Sequence, residues 1–130
     1  MNKKIFFRST LLMCFFLFSI LETKAQTFKD DIMMQTFSWD VHNQASITAD
    51  GGLYNYLNSR VNSLAIAGIT VVWMPPPSKS SGGVGYIPRE WFDFSQTVYG
   101  TESELTSLLN NLKASSPKIH AMADVAVNHT

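Results

Sequence analysis

The 130-residue sequence holds a single cysteine, Cys14, and it lies inside an amino-terminal apolar segment. No disulfide framework is available, so an exported form has to be held by its core or by a metal. Charge is sparse, with Asp, Glu, Lys and Arg making up 15% of the residues. No basic cluster follows the first few residues, which excludes a nucleic-acid footprint. No Gly-rich phosphate loop stands at a strand-to-helix turn, so nucleotide binding has no support. Internal repeats and low-complexity tracts are absent too. The apolar segment falls short of the ~20 residues that a membrane helix requires.

What is present begins with a three-part leader. Lys3, Lys4 and Arg8 flank the apolar segment Leu11–Leu21, and Thr23-Lys24-Ala25 offers small residues three and one before a cut. This is the plan of a secretory signal peptide over 1–25. Cys14 has no small residues before it, which argues against a lipoprotein cut there. Cleavage before Gln26 leaves 105 residues, with six Lys and Arg against nine Asp and Glu, a net charge of −3. The expectation is a secreted or periplasmic protein with no stable membrane anchor. Residues 26–130 suffice for one modest domain.

The mature part alternates strand and helix patterns. Ile32 to Phe37 reads as a first strand, followed by Trp39, Asp40 and His42 on its loop. Leu53, Tyr56, Leu57, Val61, Leu64 and Ala65 recur at helical spacing, and Gly68 sits where a left-handed residue ends a helix. Ile69 to Met74 is a second strand, stopped by Pro75-Pro76-Pro77. The 26 residues from Pro75 to Gly100 have little regular pattern. Ser78 to Gly85 reads as flexible, whereas Tyr86, Trp91, Phe92, Phe94 and Tyr99 predict a segment folded over the sheet end. Thr101 to Glu104 forms a capping box. Leu105, Leu108, Leu109 and Leu112 then mark an apolar stripe that ends near Lys113, with Pro117 beyond.

Ile119 to Val127 is a third strand, with the mixed apolar pattern of a parallel strand covered on both faces. Asp124, Ala126 and Asn128 share one side of it, spanning roughly 13 Å. An acid in such a strand needs donors, because an unpaired buried carboxylate costs several kcal/mol. The order β-α-β-loop-α-β predicts an α/β fold with parallel strands and right-handed crossovers. An open doubly wound sheet and the start of an eightfold barrel both satisfy it. Either places chemistry at the carboxyl ends of the strands, where Asn128 and His129 stand.

Several motifs carry a resemblance in the right order and spacing. They are Gln35-Thr-Phe-Ser-Trp39, Gly51-Gly-Leu-Tyr-Asn55, the run from Ala67 to Ser78, Gly85-Tyr-Ile-Pro88, Tyr99-Gly-Thr-Glu-Ser-Glu-Leu105 and Asp124-Val-Ala-Val-Asn-His129. From Ile32 to Thr130 the chain resembles the amino-terminal part of the α-amylases, retaining α-glucan hydrolases, and most of all the plant-type members. The resemblance implies the start of a (β/α)8 TIM barrel, about three of eight strands, ending before an inserted calcium-binding domain. Tyr86 matches the tyrosine that stacks on the sugar next to the scissile bond; an aromatic face covers the apolar face of a pyranose. His129 matches a histidine that bonds a hydroxyl of that sugar. Trp39 is carried over as a further substrate contact. Asn128 matches a calcium ligand, an amide oxygen of the hard type that calcium takes. Its co-ligands lie in the later domain, so weak calcium binding is implied for this stretch alone. Asp124 matches an acid that supports the site without being catalytic. Ile87 departs from the methionine frequent in plant-type members, and the Asp40–Asp50 loop also differs.

No catalytic residue is expected within these 130 residues. Retaining glycosidases use two carboxyls about 5 Å apart, and the family places them on later strands; neither Glu90 nor Asp93 matches them. The expectation is an endo-acting α-1,4-glucan hydrolase in full length, inactive over this stretch alone. A noncatalytic glucan-binding protein using Tyr86, Trp91 and His129 is one alternative. A glucan-transferring or oligosaccharide-specific enzyme is another, because specificity lives in loops.

Overall fold

A computed structural model describes residues 30–82 and 84–127. The leader over 1–25, and with it Asn128 and His129, lies outside the described residues. Strand β1 is Met33–Gln35, β2 is Val71–Met74 and β7 is His120–Ala123. They form one parallel sheet in the order β1-β2-β7, with Met34 opposite Val72 and Val72 opposite Ala121. Sequential order and parallel direction agree with the expected α/β class. An open sheet and the first strands of a barrel share this order.

Between β1 and β2 stand a 3-10 turn at Val41–Asn43 and three short helices. They are α1 (Ala45–Ala49), α2 (Leu53–Asn58) and α3 (Val61–Ile66). The periodicity predicts one helix where the chain makes two. The break falls at Ser59 and Arg60, whose side chains both turn back on the Tyr56 carbonyl, at 3.0 and 2.9 Å. Side chains that compete for a helical carbonyl weaken the next turn. Gly68 ends α3 as expected: at φ +81° its N–H donates to the Ala65 carbonyl, and the following N–H of Ile69 reaches Leu64.

After β2 come two small antiparallel ribbons, β3 (Lys79–Ser80) with β4 (Pro88–Glu90), and β5 (Gln96–Thr97) with β6 (Gly100–Thr101). Lys79 and Ser80 are thus strand residues within the stretch read as flexible. Helix α4 spans Glu102–Ala114, and its capping box is complete, with Thr101 and Glu104 bonded both ways. Leu108 and Leu112 are buried, whereas Leu109 is exposed.

The core lies on one face of the sheet. Val72 and Met74 meet Leu53, Tyr54, Leu57, Val61 and Ala65 from α2 and α3, and Leu108 and Leu112 from α4. Burying each large apolar side chain is worth ~1.5–3 kcal/mol relative to exposure. By strand alternation, Met33, Gln35, Val71, Trp73 and Met122 point the other way; Val71 is buried there, whereas Met33 and Met122 at the flanking strands are exposed. The third strand is shorter than the sequence suggests and is not covered on both faces. Ala121, Met122, Val125 and Val127 are exposed, because among the described residues no element packs beyond β7.

Candidate functional site

Four aromatic rings gather at the carboxyl end of the sheet. Phe37 follows β1, Trp73 lies near the end of β2, and Trp39 and Tyr86 come from the loops after those strands. Phe37 sits at the centre: its ring centroid is 5.6 Å from Trp39, 6.1 Å from Trp73 and 5.3 Å from Tyr86, all edge-on. Trp39 and Tyr86 lie 6.2 Å apart. Edge-to-face packing of this kind adds about 0.5–1.5 kcal/mol per pair beyond the area buried. Trp39 is 74% exposed, so its outer face is open to a ligand.

The Tyr86 hydroxyl donates to Asp124 Oδ2 at 2.8 Å. This bond joins the long loop to the residue immediately after β7, whose own N–H donates to the Met74 carbonyl. The acid placed in the third strand therefore finds its donor, and the phenol hydroxyl of the ring expected to stack on sugar is committed as a donor. Its oxygen retains acceptor capacity. Burial, and next the bond and charge of Asp124, push the Tyr86 phenol up to about 12. It stays protonated at any ordinary pH.

The loop carrying Tyr86 is fastened on several sides. The Ser80 hydroxyl donates to the Ile87 carbonyl at 2.7 Å and accepts from the Ile87 N–H at 3.3 Å. The Tyr99 hydroxyl donates to the Val84 carbonyl at 2.7 Å. Gly85 lies at φ +87° with Pro76 beside it, where an added Cβ would stand 3.2 Å from the Pro76 carbonyl oxygen. That backbone shape favours glycine, and it sets the direction in which Tyr86 leaves the loop. A cleft of about 240 Å³ opens between Pro76, Ser78, Ser80, Gly85, Thr97 and Val98. The Ser80 and Thr97 hydroxyls on its wall already donate to the backbone.

The local carboxylates belong to a different construction. Asp93 Oδ2 lies 2.9 Å from Lys79 Nζ, and Glu90 Oε1 lies 3.2 Å from it. Two bonds from Ser95, and then Lys79, lower Asp93 to about 2. A carboxyl held charged in this way is a poor proton donor. Among the described residues no group of three or more His, Cys, Asp or Glu is placed to hold a metal.

Of the residues singled out from the sequence, Tyr86, Trp39 and Asp124 come together at one sheet end, while Asn128 and His129 lie outside the described residues. Phe37 and Trp73 were missed. Their signal was their position: both fall at strand ends, on the same side of the sheet by alternation.

No family model matches the chain. Curated proteins do. It is 32% identical over 99 residues to "Probable alpha-amylase 2" of Arabidopsis thaliana, covering 76% of this chain and 22% of that protein. It is 36% identical over 107 residues to a "Glucan 1,4-alpha-maltohexaosidase" of Bacillus sp. (strain 707), covering 75% and 19%. It is also 29% identical over 112 residues to "Cytoplasmic alpha-amylase" of Escherichia coli (strain K12), covering 78% and 21%. The chain thus spans about a fifth of the length of these relatives.

Proposed function

Because its sequence relates this chain to the amino-terminal part of the α-amylases, we propose that it belongs to an α-glucan hydrolase acting on internal α-1,4 bonds with retention. On this reading residues 26–130 open a (β/α)8 barrel, and β1, β2 and β7 are its first three strands. The stretch grips substrate. Its aromatic group covers the apolar face of a sugar ring, and Asp124 holds Tyr86 in place while the ring docks. The two cleaving carboxyls come from later strands, and calcium, through Asn128, belongs to the longer protein. The observation that carries this reading is the bond from Tyr86 to Asp124 beneath clustered aromatics at the carboxyl end of a parallel sheet. Names among the relatives include a product-specific hydrolase and a cytoplasmic protein, so endo action rests on the resemblance to the α-amylases alone. Export rests on the leader pattern at 1–25.

The test uses the full-length protein produced with its own leader. Starch-hydrolysing activity should appear outside the cytoplasm in a polypeptide that begins at Gln26. Tyr86→Ala should reduce its kcat/KM on starch by about a hundredfold or more, as expected when a positioning contact is lost. Undiminished turnover would remove Tyr86 from the site. Activity found only with the uncut leader in the cytoplasm would overturn export.

A further inference from the structure

The turn after β4 carries two rings that the site described above does not use. The Asp93 N–H donates to the Glu90 carbonyl at 3.2 Å, closing a four-residue turn with Trp91 and Phe92 at its centre. Turns favour Gly, Pro, Asn, Asp and Ser. Here the central residues are large aromatics, 48% and 91% exposed, and such exposure contributes little to folding. Both shoulders of the turn are nevertheless tied down. Lys79 Nζ reaches Glu90 and Asp93, and the Lys79 N–H donates to the Asp93 carbonyl at 2.9 Å. Asp93 Oδ1 in turn accepts from the Ser95 N–H at 2.9 Å and from its hydroxyl at 2.6 Å. Each exposed ion pair alone is weak. Together with the backbone bonds they fix the turn before any ligand arrives, which lowers the ordering cost of binding.

We propose that Trp91 and Phe92 form an outlying stacking platform for the same α-glucan chain that Tyr86 grips. This rests on the function proposed above and extends it from one sugar ring to a polymer. Strand β4 connects the two places: Tyr86 and Trp91 are five residues apart, a separation of at most ~18 Å, which a short oligosaccharide can bridge. The connecting strand is held at Ile87 by Ser80 and at Glu90 by Lys79. The surroundings suit a sugar better than an apolar protein partner. Arg89 and Glu90 directly precede the rings in the chain, and their polar heads can bond hydroxyls while the rings cover C–H faces.

The experiment is hydroxyl-radical footprinting of the full-length protein, read by mass spectrometry, together with binding of maltotriose and of soluble amylose. Trp91 and Phe92 should be labelled in the free protein and protected by amylose. Trp91→Ala combined with Phe92→Ala should weaken amylose binding about tenfold and leave maltotriose binding unchanged, and Trp91→Phe should retain most of the affinity. Rings unlabelled in the free protein are covered by the polypeptide itself, and that result overturns the platform. So does protection that fails to appear with bound amylose, and this readout stands even where the double variant does not fold. If the wild type binds neither glucan, the proposed function falls with it; unchanged amylose affinity in the folded variant removes the platform alone.

Discussion

Tyr86 and Asp124 show what a single contact does here. The two are 38 positions apart, and nothing in the sequence pairs them beyond the need of an acid in a strand for a donor. The bond fixes the ring at one end while Phe37 fixes it at the side, so the phenol cannot swing as a surface tyrosine does. Asp124→Asn keeps the shape and removes the charge. The Tyr86 phenol, pushed up to about 12 mainly by burial and then by Asp124, should titrate lower in this variant yet remain above 10.0, the ordinary value, since the burial persists. A phenol whose folded value is raised favours the folded state fully below pH 10.0 and loses that contribution as pH climbs towards 12. Ultraviolet difference titration of the wild type, Asp124→Asn and Tyr86→Phe isolates this tyrosine. An unmoved titration in Asp124→Asn would show that the bond does not form in solution.

Elements were legible where the signal was local and obscure where it was tertiary. The capping box at Thr101 and the glycine ending α3 follow from residues within a turn of one another, and both are present as read. The ribbons β3 to β6 are two or three residues long, too short for any period to show. They exist because Ser80, Lys79 and Thr97 bond backbone that lies distant in sequence or across a tight turn. Tyr54, fully buried against Tyr99, was passed over because the helical stripe chose Tyr56. The cap on α4 also reaches beyond its own helix: Glu104 Oε1 accepts from Asn55 Nδ2 at 2.7 Å, while Oε2 accepts from the Thr101 N–H. The Thr101 backbone bond is the main cause that lowers the Glu104 carboxyl. Thr101→Ala keeps that backbone bond but removes the hydroxyl that accepts from the Glu104 N–H, and should cost about 1 kcal/mol in denaturant unfolding of the full-length protein. Glu104 contributes above its unfolded value and ceases to do so as pH falls through its lowered one, so Glu104→Gln should flatten stability against pH on the acid side. Equal acid sensitivity in the two proteins would rule the cap out as its source.

At the scale of the whole molecule, the asymmetry of the sheet decides what the stretch can do unaided. One face is packed by α2, α3 and α4; the other presents Met33 and Met122, and beyond β7 Val125 and Val127 are 62% and 71% exposed. Among the described residues, a partly covered apolar face beside a parallel edge strand is a site for association. On the proposed reading this face turns toward a barrel interior, where further strands close it. The sequence predicted a third strand covered on both sides because its run is apolar without strict alternation, whereas the described residues show it as an edge. Residues 26–130 expressed alone should then show weak amide protection, concentration-dependent association and no release of reducing ends from starch. The core around Leu53, Leu108 and Val72 would retain whatever protection exists, being the region that several elements bury at once among the described residues. A monomer with strong protection across β1, β2 and β7 would mean that the sheet is stable with its inner face only partly covered, and the barrel reading would lose its physical ground.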